Sequence, residues 1–154
     1  MSERLEQCVD EFNECFNQLI TNIANVCPNS LIGTNYVEMK IFTGAIISNK
    51  NTKDKLMTCY FDNIYLEYKD EILRRDENFF LKKDSGEYVN VIKNAESKLD
   101  VKNKGSTNFV MEHIMDIKNS WRLLNRANKD VVFDSLIILC KLCDRYVELY
   151  KLLK

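Results

Sequence analysis

The most apolar stretch of the chain lies near its end. Within Lys129 to Leu153, the residues Leu136, Ile137, Ile138, Leu139, Cys140, Leu142 and Cys143 are interrupted only by Lys141. A helix that is apolar on most of its circumference is one that other helices wrap around, so this segment is expected to be central. Asp134, Lys141, Asp144, Glu148 and Lys151 recur at spacings of 7, 3, 4 and 3, leaving one narrow polar stripe for water.

The start of the chain is patterned more strictly. Leu5, Val9, Phe12, Phe16, Leu19, Ile23 and Val26 alternate at spacings of 4 and 3, which predicts a helix from an N-cap at Ser2 to about Asn25, ahead of Pro28. The flanking positions Glu6, Cys8, Asn13, Cys15, Ile20 and Asn22 lack the complementary charges of a dimeric coiled coil. Packing inside its own domain is the expectation.

Pro28-Asn29-Ser30 and Gly33-Thr34-Asn35 predict a loop. Asn35 and Glu38 then stand at capping-box spacing for a helix through about Ile47, with Tyr36, Met39, Ile41, Phe42, Ala45 and Ile46 as apolar positions. A strand over Lys40 to Ser48 is the runner-up, because Ile and Phe favour one. Thr52 is the expected cap of a third helix with Leu56, Met57, Tyr60, Phe61, Ile64, Tyr68, Ile72 and Leu73 on one broad face. Tyr60, Tyr65 and Tyr68 are expected to set hydroxyls at the domain edge.

Asp76 to Leu81 reads as a short turn that inserts Phe79 and Phe80, and Lys82 to Gly86 as a loop. A fourth helix follows from Glu87 to about Leu99, marked by Tyr88, Val91, Ile92, Ala95 and Leu99. The polar stretch Asp100 to Asn108 predicts a mobile, protease-sensitive loop. Thr107 or Asn108 caps a fifth helix carrying Val110, Ile114, Ile117 and Trp121, and Asn125 to Asn128 turns into the last one. With no repeat and no dividing linker, the expectation is an all-α fold: residues 1–154 as a single-domain bundle of about 5–7 helices around an apolar C-terminal helix.

Composition supports that class. The chain has 45% apolar and 29% charged residues, with only four Gly and one Pro to punctuate it. Its net charge is −1, with residues 1–38 carrying six acids against Arg4 and the remainder therefore +4. A near-neutral total with six Arg among 22 basic residues argues against nucleic-acid binding. The acidic Ser2 to Glu14 is not a signal peptide, and no apolar run is long enough for a membrane span. Six cysteines in that setting read as reduced thiols. The 17 Asn and 16 Lys suggest an A/T-rich genome.

Cys140 and Cys143 form a CxxC, but mid-helix in the most apolar segment rather than at the helix N-terminus a redox thiol uses. Cys8, Cys15, Cys27 and Cys59 offer no second pair at zinc-ligand spacing, so core thiols are the expectation. His113, the only histidine, lies between Glu112 and Asp116 and reads as an edge residue. Asp70-Glu71 and Asp76-Glu77 flank Arg74-Arg75, which predicts ion pairs on a helix surface. Lys82-Lys83 and Lys102 with Lys104 are too sparse for more than solvated surface. No phosphate loop, dinucleotide fingerprint or nucleophile elbow is present. No catalytic, cofactor-binding or metal residue is therefore nominated.

Two blocks carry a resemblance. Tyr68-Lys69-xx-Ile72, running into Asp76-Glu77-Asn78-Phe79-Phe80-Leu81-Lys82-Lys83-Asp84, and Trp121-xx-Leu124-xxx-Asn128-Lys129 ahead of an apolar helix are similar to blocks in small uncharacterised helical proteins of large nucleocytoplasmic DNA viruses. The chain departs from them at Ser85-Gly86 and Val132-Phe133, where those proteins often carry aromatics. The resemblance implies a viral protein of the host cytoplasm or virion and brings no catalytic motif with it.

The expected function is non-enzymatic: binding of a protein partner, as a virion component or a binder of a host factor, with homo-oligomerisation open. The acidic first helix and the Asp100–Asn108 loop are the nominated surfaces. The alternative is a Bcl-2-like viral modulator of host apoptosis or innate immune signalling, although that fold keeps its apolar helix mid-chain. An enzyme would need Cys59, Cys140 or His113 in a pocket with polarising neighbours.

Overall fold

The computed structural model describes residues 2–78 and 118–153. Expectations for 79–117, including Phe79, Phe80, the fourth helix, the Asp100–Asn108 loop, Glu112, His113 and Asp116, lie outside the described residues. Among those described there are helices and no strands, so the chain is all-α.

Helix α1 (Glu3–Val26) begins where its chemistry directs. The Ser2 side chain accepts from the Leu5 N–H at 3.2 Å, while Glu3 and Glu6 oppose the positive end of the helix dipole. Every seam residue from Leu5 to Ile23 is buried, and Val26 is partly so. The heptad flanks Cys8, Asn13 and Ile20 are buried as well, which widens the stripe beyond a coiled-coil seam.

The expected loop at residues 28–35 contains a helical turn, α2 (Leu31–Thr34). Ser30 organises it: its hydroxyl donates to the Cys27 carbonyl at 2.7 Å and accepts from the Gly33 N–H at 3.1 Å. Gly33 is there for space, since a Cβ would lie 2.4 Å from the Pro28 carbonyl oxygen. Its role is close backbone approach, which a local reading mistakes for a turn.

Helix α3 (Tyr36–Ser48) replaces the strand alternative. The Asn35 and Glu38 capping box does not form: Asn35 lacks the extended backbone of an N-cap and makes no side-chain cap bond. Thr52 is not a cap either. Its hydroxyl donates to the Ile46 carbonyl at 2.7 Å, tying the end of α3 to the next segment.

The third helix is interrupted. Helix α4 (Lys55–Tyr60) passes through a π-helical turn (Phe61–Tyr65) into α5 (Leu66–Leu73). The buried Asn63 side chain donates to the Cys59 carbonyl at 2.9 Å, the acceptor an unbroken α-helix gives to the Asn63 backbone N–H. α5 then ends in a Schellman motif, with Asp76 N–H on the Glu71 carbonyl and Arg75 N–H on that of Ile72. The left-handed residue is Arg75, at φ 57°.

After the short α6 (Lys118–Trp121), the Asn125 side chain accepts from the Asn128 N–H at 2.8 Å and starts α7 (Arg126–Leu152). Leu136, Leu139, Cys140 and Cys143 are buried, and Asp134, Lys141, Glu148 and Lys151 face water as the spacing predicts, whereas Asp144, expected in the same stripe, is half-buried and bonded to Tyr65 and Lys69. Val131 and Ile138 share that outer stripe, Ile138 at 46% exposure. Among the described residues α1 packs against α2, α3, α4 and α7, and α7 packs against α1, the π turn and α5.

Candidate interaction groove

Cys140 and Cys143 are both buried in the middle of α7, and burial pushes both thiols up from their ordinary range. A reactive thiol requires the opposite shift. Cys8 joins them, donating to the Leu142 carbonyl at 3.4 Å, and Cys59 is also buried. Tyr60 corrects the expectation of an edge hydroxyl. It is wholly buried, donates to the Leu136 carbonyl at 3.1 Å, lies 3.6 Å from the Cys140 sulfur and meets Phe12 edge-on at 5.6 Å. Burial holds its phenol well above the ordinary value. Tyr68 is buried too, so of the three only Tyr65 stands at the edge.

Tyr65 belongs to a polar cluster. Its hydroxyl donates to Asp144, and Lys69 Nζ lies 2.8 Å from the same carboxylate and 3.2 Å from the phenol oxygen. For Asp144, burial works against the charged form, but the bonds from Lys69 and Tyr65 outweigh it and hold the carboxyl below its ordinary value. A carboxylate held ionised by a partly exposed lysine is a structural pair, unlike the raised-pKa acid a general acid requires.

Around Arg74-Arg75 one expected local pair forms, Arg74 with Asp76 at 3.9 Å, while other charges reach further. Arg75 reaches across to Asp130, at 3.2 Å, and Asp134 on α7. Glu77 accepts from the indole N–H of the buried Trp121 at 3.0 Å and from Lys129 Nζ at 2.9 Å, and these bonds lower its pKa. These contacts clasp the end of α5 to the start of α7, where sequence spacing predicted pairs along one helix surface. Among the described residues no three His, Cys, Asp or Glu side chains gather as a metal site would need.

A concave feature lies elsewhere. Met57, Thr58 and Phe61 form one wall of a groove of about 370 Å³, and Tyr146, Val147 and Tyr150 form the other, with Lys151 at its edge. Its volume is at the lower end of small ligand sites, and its walls are largely apolar. Tyr146 and Tyr150 stack at 6.3 Å, as residues four apart on a helix can. Tyr150, itself 47% exposed, and Leu153, seven residues beyond Tyr146 on the same helix face, continue the apolar surface outward. Sequence reading missed this groove. Its only local signals are the apolar pairs Met57/Phe61 and Tyr146/Tyr150, which packing alone brings face to face.

Of the nominated surfaces, α1 is partly neutralised. Lys53 pairs with Glu6 at 2.8 Å and Asp10 at 3.0 Å, and Arg145 with Glu11 at 3.3 Å, leaving Glu3 and Glu14 exposed with no salt bridge among the described residues. No helix among the described residues is long and apolar enough to cross a membrane. No known family, curated protein or solved structure matches the chain.

Proposed function

We propose that this is a non-enzymatic helical protein of viral origin that acts by binding another protein, in the virion or in the host cytoplasm. The observation that carries the reading is the apolar groove between α4 and the last turns of α7, continued by exposed Tyr150 and Leu153. Contiguous exposed apolar surface beside polar residues is typical of protein contact sites. Burial of Cys59, Cys140 and Cys143, with the Cys140 and Cys143 thiols shifted away from reactivity, supports the non-enzymatic part.

The groove fits an apolar anchor side chain of a partner. It lies at the end of α7 rather than along a central helix, so it supports partner binding in general and adds nothing specific to the Bcl-2-like alternative. Affinity purification of the full chain from cells in its native setting tests the proposal. A partner should co-purify with the native chain and be lost with Val147→Glu. Retention of that partner by both Val147→Glu and Phe61→Glu would remove the groove from the account.

A further inference from the structure

Helix α3 has apolar residues on both faces. Met39, Thr43 and Ile46 face the core, while Val37, Ile41, Gly44 and Ser48 run along the opposite side. Val37 is 69% and Ile41 63% exposed. A helix apolar on both sides is normally covered on both, and none of the described elements covers the outer face. Gly44 adds a second observation. A Cβ built there meets nothing within 4 Å, so no contact among the described residues requires glycine. Mid-helix glycine is unfavourable by about 1 kcal/mol relative to alanine, which calls for a reason outside the fold described.

We infer that the outer face of α3 is a twofold, antiparallel interface with a second copy of this chain. The register follows from the stripe itself. Ile41 and Gly44 lie symmetrically about the middle of α3, so a twofold axis there seats each Ile41 over the partner copy's Gly44. Val37 then comes opposite Ser48. The absent Cβ lets the two backbones approach, and each isoleucine is a knob for the other copy's gap. The antiparallel arrangement also brings the acidic first turn, with Glu38, against the end of the other helix, where the exposed Lys50 follows. One helix pair covers less than the about 800 Å² per partner of a standard interface, so the expected dissociation constant is micromolar.

Sedimentation velocity on the full chain, from about 1 to about 300 µM, brackets that range. The native chain should pass from monomer to dimer. Ile41→Glu should raise the dissociation constant about tenfold or more. Gly44→Leu is the sharper variant: it fits the open space of the monomer and improves helix propensity, yet fills the gap that Ile41 needs. It should stay as helical as the native chain and remain monomeric, which keeps the test decisive if Ile41→Glu fails to fold. A native chain that is monomeric throughout overturns the inference, including when Ile41→Glu lowers its thermal midpoint, which would mean the chain covers this face itself. A dimer unaffected by Gly44→Leu also overturns it.

Discussion

The two longest helices pack against each other and illustrate opposite relations between apolar content and burial. α7 holds the most apolar run in the chain, yet Ile138, in the middle of that run, is 46% exposed. α1 is studded with acids and amides, yet its seam from Leu5 to Ile23 is interior, and even Asn13 is 2% exposed. Position on the 3.6-residue repeat decides which side chains leave water, and average hydrophobicity does not. Asn13 shows the cost tolerated for that placement. Its amide donates to the Lys53 carbonyl at 2.8 Å, while its buried Oδ1 has no partner among the described residues.

The contrast predicts very unequal mutational effects. Phe12→Ala in α1 should destabilise the protein by about 3–5 kcal/mol, through lost transfer energy and the cavity left beside Phe16 and Tyr60. Ile138→Lys, at the heart of the apolar run of α7, should change stability by no more than about 0.5 kcal/mol. Urea unfolding of the two variants measures both, and comparable losses would break the comparison.

Where α1 and α4 meet α7, Tyr60→Phe removes one buried donor and leaves shape intact. The Leu136 carbonyl loses a partner, so a loss of about 1–2 kcal/mol is expected in the same measurement. A neutral result would mean that water or the neighbouring Cys140 thiol replaces the hydroxyl.

The clasp between α5 and α7 offers a finer test. Arg75 is left-handed at φ 57°, which costs a non-glycine residue about 1 kcal/mol, while its guanidinium bridges Asp130 and Asp134. Those pairs are partly exposed and contribute about 0–1 kcal/mol. Arg75→Gly loses the pairs but relieves the backbone, so it should lie close to the native stability. Arg75→Ala loses the pairs and keeps the strain, and should be less stable than Arg75→Gly by about 1 kcal/mol. Equal stabilities would show that the turn relaxes once the guanidinium is gone.

The smallest effect expected is on pH dependence. Bonds from Lys129 and then Trp121 hold Glu77 below its ordinary value of 4.5. Asp144 is held below 3.8 by Lys69 and Tyr65 in spite of its burial. The unfolded chain therefore binds these protons first as pH falls. The stability the two groups contribute is complete at neutral pH and is lost as pH drops from those values through the lower folded ones. Thermal midpoints measured across that window should fall less steeply for Glu77→Gln than for the native chain.

What the sequence made legible was mostly what is locally encoded. Ser2, the alternating 4 and 3 spacings and Pro28 each act within a turn or two, and α1 follows from them. Asn125 and the outer stripe of Asp134, Lys141 and Glu148 are legible for the same reason. Failures begin where a residue serves something distant. Gly33 looks like a turn signal but accommodates the Pro28 carbonyl; Thr52 looks like a cap but ties down α3; Arg75 looks like half of a local ion pair but reaches to α7. The groove was hidden completely, because Met57 with Phe61 and Tyr146 with Tyr150 are ordinary apolar pairs until packing opposes them.

The π turn at Phe61–Tyr65 has a consequence for the length of the chain. A helix is a screw in which each residue advances the thread by about 100°, and the wider π turn absorbs one additional residue while keeping α4 and α5 in phase. Leu56 and Tyr60 as well as Tyr68 and Ile72 are therefore all interior. Deleting one residue from this turn would restore a regular thread and leave Tyr68 and Ile72 facing the core, whereas a deletion inside α5 between them would swing Ile72 toward water. The turn is the place along this helix where the fold can gain or lose a residue without moving either flank.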